Sequence, residues 1–296
     1  MSPKPGSSAL PLLATLSAMA CFQIGAAFAK TLFPAVGPLG AVTLRLGFGA
    51  LMLVAIARPW RNWPRPAPLW PLFGLGAAAA GAVAMFYLAQ SRLPLAVAIS
   101  LQFLGPLAVA VFGSRRPIDL LWAVLAATGV WCLVGAGIKT SAIDPVGLAF
   151  ALCAAVAWAC YILCGRAASA AFGGATAALA TSIAAVLVLP FGILHVGAAL
   201  LSPALLAMAL LVALLSTVIP FSLELYALPR LPARTFATFT SLEPAFGVAS
   251  GWVLLNQHLA VGQIAGVAVV IAAAGGAAWS SASRPAAPSL SEAPPT

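Results

Sequence analysis

The stretch SLELYALPRLPARTFATFTSLEPAFG, Ser222–Gly247, contains the pattern that decides the fold. Its tripeptide Arg230-Leu231-Pro232 repeats Arg92-Leu93-Pro94, which lies 138 residues earlier in the chain. Further identities follow at the same offset: Ala89 with Ala227, Leu104 with Leu242, Pro106 with Pro244 and Gly113 with Gly251. The chain is therefore predicted to consist of two homologous halves.

The composition assigns both halves to a membrane. Only 6% of the residues are charged, 63% are hydrophobic and the mean hydropathy is +1.09, whereas a soluble chain is about a quarter charged. Crossing the hydrocarbon layer takes about 20 apolar residues as a helix, and the apolar runs here have that length. They lack the alternation of barrel strands. The predicted fold class is an all-α polytopic membrane protein.

Proline, glycine and arginine clusters divide the chain into ten predicted spans. These are residues 9–30, 38–58, 69–90, 94–113, 118–138, 146–166, 174–195, 203–227, 233–255 and 261–280. Residues 9–138 form the first five-helix repeat and residues 146–280 the second. The tail, residues 283–296, is rich in Pro, Ala and Ser and is predicted to be a disordered cytoplasmic segment.

The distribution of basic residues predicts the orientation, because Lys and Arg concentrate in cytoplasmic loops. With both termini in the cytoplasm, ten basic residues lie inside and only Lys30, Arg92 and Lys139 lie outside, while Arg45 falls within a span. An odd number of spans in each half makes the two repeats enter the bilayer in opposite senses. Inverted repeats of this kind are how many secondary transporters build a central site that opens to either side by alternating access.

Other classes of function are disfavoured. The net charge of +9 comes from basic residues scattered one to three per loop, so no nucleic-acid surface is predicted. No grouped His, Cys and acidic residues indicate a metal or cofactor, and no GxSxG, HExxH or similar constellation indicates an intramembrane enzyme. The sequence leaves open whether the protein acts as a monomer or a homodimer.

Glu243 is the principal candidate for the transport site. It lies ten residues into its span, about 15 Å from the start, near the middle of the bilayer. Pro244 removes the backbone donor to the Thr240 carbonyl, and Pro106 does the same to Gln102 in the first half. Two proline-interrupted helices at corresponding positions indicate a transport site, with these prolines as hinges.

A buried carboxylate needs a partner, a solvated cavity or a proton. Glu243 could exchange a proton, bind a substrate ammonium group, or be tied permanently to Arg45 or a backbone donor. Glu224 lies within a turn or two of the predicted cytoplasmic end of its span, so pairing with Arg230 or Arg234 competes with a role in the pathway.

Arg45 is also too deep to be a loop charge, and could bind a substrate carboxylate or snorkel outward. Gln102, Thr240, Ser241 and Gln23 could supply neutral hydrogen bonds, although polar residues also hold membrane helices together.

Two segments resemble a known family. The fourth helix of each half contains a proline, and the segment SLEPAFGVASGWVLLNQHL, 241–259, is similar to the EamA-type transporters of the drug/metabolite transporter superfamily. More narrowly, PFSLELYALPRLPARTFATFTSLEPAFG, 220–247, resembles the threonine and homoserine exporter branch of the bacterial inner membrane. Many relatives carry an acidic residue after the ninth helix, where this chain has Asn256-Gln257-His258.

The resemblance implies efflux of small polar amino acids, coupled to protons and located in the bacterial inner membrane. It places Glu224, Arg234 and Glu243 among the functional positions. A carrier of another metabolite or drug in the same superfamily is the alternative, since kinship of fold does not fix the substrate.

Overall fold

The structure, a computed structural model, describes residues 9–61, 68–112, 117–140, 144–197, 202–227, 230–231 and 233–282. Within this part of the chain the regular structure is helical. The first half contains α1 (Ala9–Thr31), α2 (Phe33–Ala57), α3 (Trp70–Gln90), α4 (Leu95–Gln102), α5 (Leu104–Phe112) and α6 (Pro117–Thr140). The second half contains α7 (Pro145–Phe172), α8 (Thr176–Val196), α9 (Pro203–Ala213), α10 (Ile219–Ala227), α11 (Ala233–Thr240), α12 (Glu243–Leu255) and α13 (Val261–Ala282).

Most helix limits lie close to the predicted span limits, and two differences have local causes. Helix α2 begins at Phe33 rather than residue 38, because its first turn precedes a kink at Gly37, where φ is 65°. Helix α7 continues six residues beyond the predicted end at Arg166, through Ala- and Ser-rich sequence that favours helix. It ends only at Gly173, whose φ of 53° suits a residue without a Cβ.

Three of the predicted spans are interrupted. Phe103 separates α4 from α5, and Ser241 and Leu242 separate α11 from α12, so the breaks fall at matching positions of the predicted repeat. Leu214–Val218 forms a π-helical segment between α9 and α10, which the sequence analysis did not predict. Such segments are rare and occur frequently at functional sites.

Close approach of backbones holds the helices together. Helix α3 packs along α7 and α8, α2 packs along α8, and α6 packs along α13. A Cβ at Gly76 would overlap Ile183, and one at Gly129 would lie 3.1 Å from the Gly266 carbonyl oxygen. Small residues allow membrane helices to approach in this way, where the hydrophobic effect contributes little between them.

The outer surface of the bundle is apolar. Its exposed side chains include Phe112, Trp131, Trp252, Val261 and Trp279. Four helical stretches are long and apolar enough to cross a membrane: Ala9–Ala57, Trp70–Gln90, Pro145–Val196 and Pro203–Glu224. At 49 and 52 residues, the first and third are too long for one crossing and contain two helices each. The count of ten spans and their division into repeats stay predictions.

Candidate functional site

A cavity of about 690 Å³ lies between the two halves of the bundle. Helices α1 to α4, α7, α8, α10 and α12 and the π-helical segment contribute its walls. It extends from Arg45, Gln102 and Glu243 to Arg166 and the exposed pair Gly173 and Gly174 at one end of the bundle. The cavity therefore connects buried charged groups with one surface of the protein.

Glu243 forms part of the deep wall of this cavity. It is the first residue of α12, and 9% of it is exposed. The break after α11 thus places its carboxylate at the partial positive charge of a helix N-terminus. Its Oε1 accepts a hydrogen bond of 2.9 Å from Nε2 of Gln23 on α1. The structure places Glu243 against an amide of the other half, rather than against Arg45 or a backbone donor.

Gln23 is itself fully buried, and its remaining polar atom has no partner. Its Oε1 makes no hydrogen bond within the described structure. The backbone of α12 approaches it at Gly247, where a Cβ would lie 3.6 Å from that oxygen. Within the described structure, the only hydrogen bond of the Gln23 side chain is therefore the one that it donates to Glu243.

Arg45 lies in the same cavity wall and does not snorkel. Only 3% of it is exposed, because its head group is held between the rings of Phe22 and Tyr87, at 5.1 and 5.5 Å from their centroids. Nη1 donates to the Tyr87 hydroxyl at 3.1 Å and Nη2 to the Ser216 carbonyl at 2.9 Å. Its Nε has no partner, and no described carboxylate forms an ion pair with it.

The π-helical segment explains why the Ser216 carbonyl is available. Pro220 has no N–H, so the usual α-helical donor four residues after Ser216 is missing. Gly25 on α1 makes room for the segment, since a Cβ there would overlap the Ser216 hydroxyl. The π-helical segment was not predicted, although Pro220 gives the same signal as Pro106 and Pro244.

Glu224 lines the part of the cavity nearer the open end, together with Tyr161 and Arg166. Arg230, one of its two predicted partners, instead places its guanidinium 4.1 Å from the Tyr226 ring centroid and donates to the Tyr226 carbonyl. Arg234 belongs to α11, and its side chain lies outside the described part of the structure. Glu224 thus faces the cavity without Arg230.

The remaining predicted residues divide into two groups. Gln102 lines the cavity with little exposure to solvent. Thr240 ends α11 and Ser241 lies in the break before α12, and neither is among the residues that line the cavity. Ser241 faces α13, where a Cβ at Gly275 would lie 3.0 Å from its hydroxyl. Pro106 lies in α5 and Pro244 in α12, each just after a break. Their hinge role stays a prediction.

The opposite end of the bundle is closed around residues 92–95, between α3 and α4. Arg92 forms a 2.7 Å ion pair with Asp144, which also caps α7 by accepting from the Val146 and Gly147 amides. The hydrogen bond from Arg92 lowers the pKa of the partly exposed Asp144 carboxyl, with smaller contributions from the two amides.

Two further contacts reach the same loop. Lys30 Nζ donates to the Leu93 carbonyl at 3.3 Å, and the Leu95 amide donates to Gln257 Oε1 at 2.8 Å. Asp144 and Gln257 belong to the second half of the chain, whereas the loop belongs to the first. We call these contacts, made by Arg92, Asp144, Lys30 and Gln257, the loop 92–95 clasp.

Comparison with known proteins identifies relatives over most of the chain. The profile of the EamA-like transporter family matches residues 145–278. The threonine/homoserine exporters RhtA of Escherichia coli (strain K12) and Salmonella typhimurium (strain LT2) are each 45% identical over 267 residues, covering 90% of this chain and 90% of each relative. A solved crystal structure shares the fold, with a TM-score of 0.62 at 22% identity over 91% of this chain and 96% of that chain.

Proposed function

Because the chain belongs to the EamA-like transporter family and is a membrane transporter rather than an enzyme, we propose that it exports small polar amino acids of the threonine and homoserine type. One observation carries this proposal. Arg45 and Glu243 line a common cavity without forming an ion pair with each other. Opposite charges that are kept apart in this way suit an amino acid. Its carboxylate would bind Arg45 and its ammonium group would bind Glu243.

The surroundings of Arg45 support its assignment to the substrate carboxylate. Tyr87 and Ser216 hold the head group while its Nε remains without a partner, so a donor is positioned but unused. Guanidinium groups favour carboxylates because their parallel donors match the two oxygens. Gln102, in the same wall, would supply neutral hydrogen bonds to a polar side chain.

Alternating access would follow from two inverted five-helix repeats with cytoplasmic termini. In that orientation the cavity opens at Gly173 and Gly174 toward the cytoplasm, and the loop 92–95 clasp closes the outer end. Substrate would enter from the cytoplasm and leave after the clasp opens. The breaks before Pro106 and Pro244 would allow the half-helices to move.

Proton coupling would use Glu243. Protonation from the outside would neutralise its carboxylate and release the substrate ammonium group, and loss of the proton to the cytoplasm would restore the binding site. Glu224, nearer the mouth of the cavity, is the second carboxylate available to this cycle. The transporter would reside in the bacterial inner membrane, where a proton gradient can drive it.

Purified protein in liposomes tests this function. Homoserine and threonine counterflow would be followed with and without a pH gradient, for the wild type and Glu243→Gln. Glutamine can still accept a hydrogen bond from the substrate ammonium group but cannot exchange a proton, so we expect the variant to lose gradient-driven transport and to retain counterflow with a raised KM. Loss of both in a folded variant would leave Glu243 with a role in substrate binding or structure and none shown in proton exchange. Absence of flux for both amino acids in folded wild type would refute the substrate class and favour another metabolite of the superfamily.

A further inference from the structure

We propose that Gln23 is a positioning residue that holds Glu243 in place in both of its protonation states. This inference rests on the proposed role of Glu243 in proton coupling. The observed contact is the 2.9 Å hydrogen bond from Gln23 Nε2 to Glu243 Oε1, made between fully buried Gln23 and a carboxylate that is 9% exposed. It joins α1 of the first half to α12 of the second.

The chemistry of an amide side chain suits both states of a carboxyl group. An ionised carboxylate only accepts hydrogen bonds, whereas a protonated carboxyl group also donates one. Gln23 already donates through Nε2, and its Oε1 has no partner in the described structure. A protonated Glu243 could donate to that oxygen while still accepting from Nε2. A protonated Glu243 needs an acceptor for its O–H, and Oε1 of Gln23 is an unpaired acceptor next to that carboxyl group.

The packing around α12 leaves this role to Gln23. Helix α12 contacts α1, α4 and α13, and neither α4 nor α13 carries an ionisable side chain. On α1 the ionisable residues are Cys21 and Lys30, and Lys30 is engaged in the loop 92–95 clasp at the other end. Across the cavity, Arg45 and Glu224 line the same walls, and neither forms a hydrogen bond or an ion pair with Glu243 in the described structure.

The chain supplies a matched control in Gln90. This glutamine is also fully buried, also donates through Nε2 to α1, at the Ala26 carbonyl, and also has an Oε1 without a partner. It does not contact Glu243 or line the cavity. Substitution of either glutamine by methionine keeps a similar length and removes the amide, so general effects of losing a buried amide appear in both variants.

Infrared difference spectroscopy of purified protein is the decisive measurement. The stretching band of protonated Glu243 would be identified by its loss in Glu243→Gln, over the pH range in which the protein stays folded. In Gln23→Met we expect this band to move to higher wavenumber, because its carbonyl no longer accepts a hydrogen bond. In Gln90→Met we expect the band to stay. We also expect gradient-driven exchange to fall about tenfold in Gln23→Met, while counterflow falls less.

Several results would overturn the inference. An unchanged Glu243 band in Gln23→Met would do so, as would an equal shift in Gln90→Met or the absence of any Glu243 band. If Gln23→Met does not fold, Gln23→Leu replaces it, because it also lacks the amide and adds no carboxyl band, with the same requirement that the Glu243 band move. If the band moves in Gln23→Met while the folded wild type transports neither homoserine nor threonine, the proposed substrate is refuted and the role of Gln23 stands.

Discussion

The guanidinium of Arg45 donates from Nη2 to the backbone carbonyl of Ser216 at 2.9 Å, joining α2 to the π-helical segment that precedes α10. The contact links the two halves of the chain beside the cavity. It depends on a helix that has lost its regular hydrogen bonding at this point, because Pro220 cannot donate to Ser216. The position of the cation thus depends in part on an irregular helical segment in the other half of the chain.

Substitution of Pro220 by alanine tests this dependence. A backbone N–H at position 220 would compete with Arg45 for the Ser216 carbonyl and favour a regular α-helix. We expect the KM for homoserine in liposomes to rise up to about tenfold, with little change in the melting temperature. Pro203→Ala is the control, since Pro203 occupies the first position of α9, where no N–H is required. Equal effects in both variants would contradict the prediction.

Arg45→Lys is expected to impair substrate binding despite keeping the charge. The three N–H donors of lysine radiate from one nitrogen, so they cannot reproduce the planar fork that reaches the Tyr87 hydroxyl and the Ser216 carbonyl and presents parallel donors to a carboxylate. We expect the KM to rise at least about tenfold, corresponding to one charge-assisted hydrogen bond. The same substitution at exposed Arg58, at the end of α2, should leave the KM unchanged. Wild-type affinity in Arg45→Lys would exclude Arg45 as the carboxylate ligand.

Gly25→Ala should destabilise the protein and Gly47→Ala should not. A methyl group at Gly25 would overlap the Ser216 hydroxyl and force α1 away from the π-helical segment, whereas nothing lies within 4 Å of a Cβ at Gly47. Overpacking of this kind costs about 1–3 kcal/mol. The melting temperature in detergent measures the difference, and we expect transport to fall in the Gly25 variant alone. A stable, fully active Gly25→Ala protein would contradict the described packing.

Asp144→Asn should loosen the loop 92–95 clasp without uncapping α7, since asparagine is as good an N-cap as aspartate. The labelling rate of a cysteine placed at buried Ala96, in a background without the native cysteines, measures the opening. We expect a membrane-impermeant maleimide to label it a few-fold faster in Asp144→Asn. Ser202→Ala is the control and should leave the labelling rate unchanged, because Ser202 precedes α9 without a side-chain capping bond. Slower or unchanged labelling would show that the ion pair does not restrain the loop.

The clasp should also respond to pH in a defined direction. Arg92 lowers the pKa of Asp144, so the contribution of the ion pair is present above the ordinary aspartate pKa and is lost as the pH falls through the lowered value. Labelling at position 96 should therefore accelerate in acid in the wild type, after correction for the reactivity of the maleimide. The labelling rate should vary less with pH in Asp144→Asn. The same pH dependence in both proteins would show that the Asp144 carboxylate does not hold the clasp closed.

Much of this arrangement was accessible from the sequence. Apolar run lengths and proline positions predicted most helix limits and the paired breaks, because in lipid every backbone group must be satisfied within a helix. The cost of burying charge indicated Arg45, Glu224 and Glu243, and the structure brings all three to one cavity.

The partners of individual side chains could not be predicted from the sequence in this way. Gln23 and Glu243 are 220 residues apart, and no local pattern indicates which polar residue of α1 faces the break in the other half. Thr240 and Ser241 lie close to Glu243 in sequence, but helix rotation directs them away from the cavity. The extension of α7 past Arg166 also escaped prediction, since a charge marks the membrane surface and does not end a helix.

Helices α6 and α13 pack against each other through Gly129 and Gly266, and none of their described residues lines the cavity. Residues that would contact a substrate in the cavity are therefore separate from this helix pair. An engineer who seeks a carrier for a different metabolite would randomise the cavity positions of α2, α7 and α12 and leave this helix pair untouched. One who seeks a more stable carrier for the same metabolite would begin with the pair itself, since its packing can be changed without altering the cavity wall.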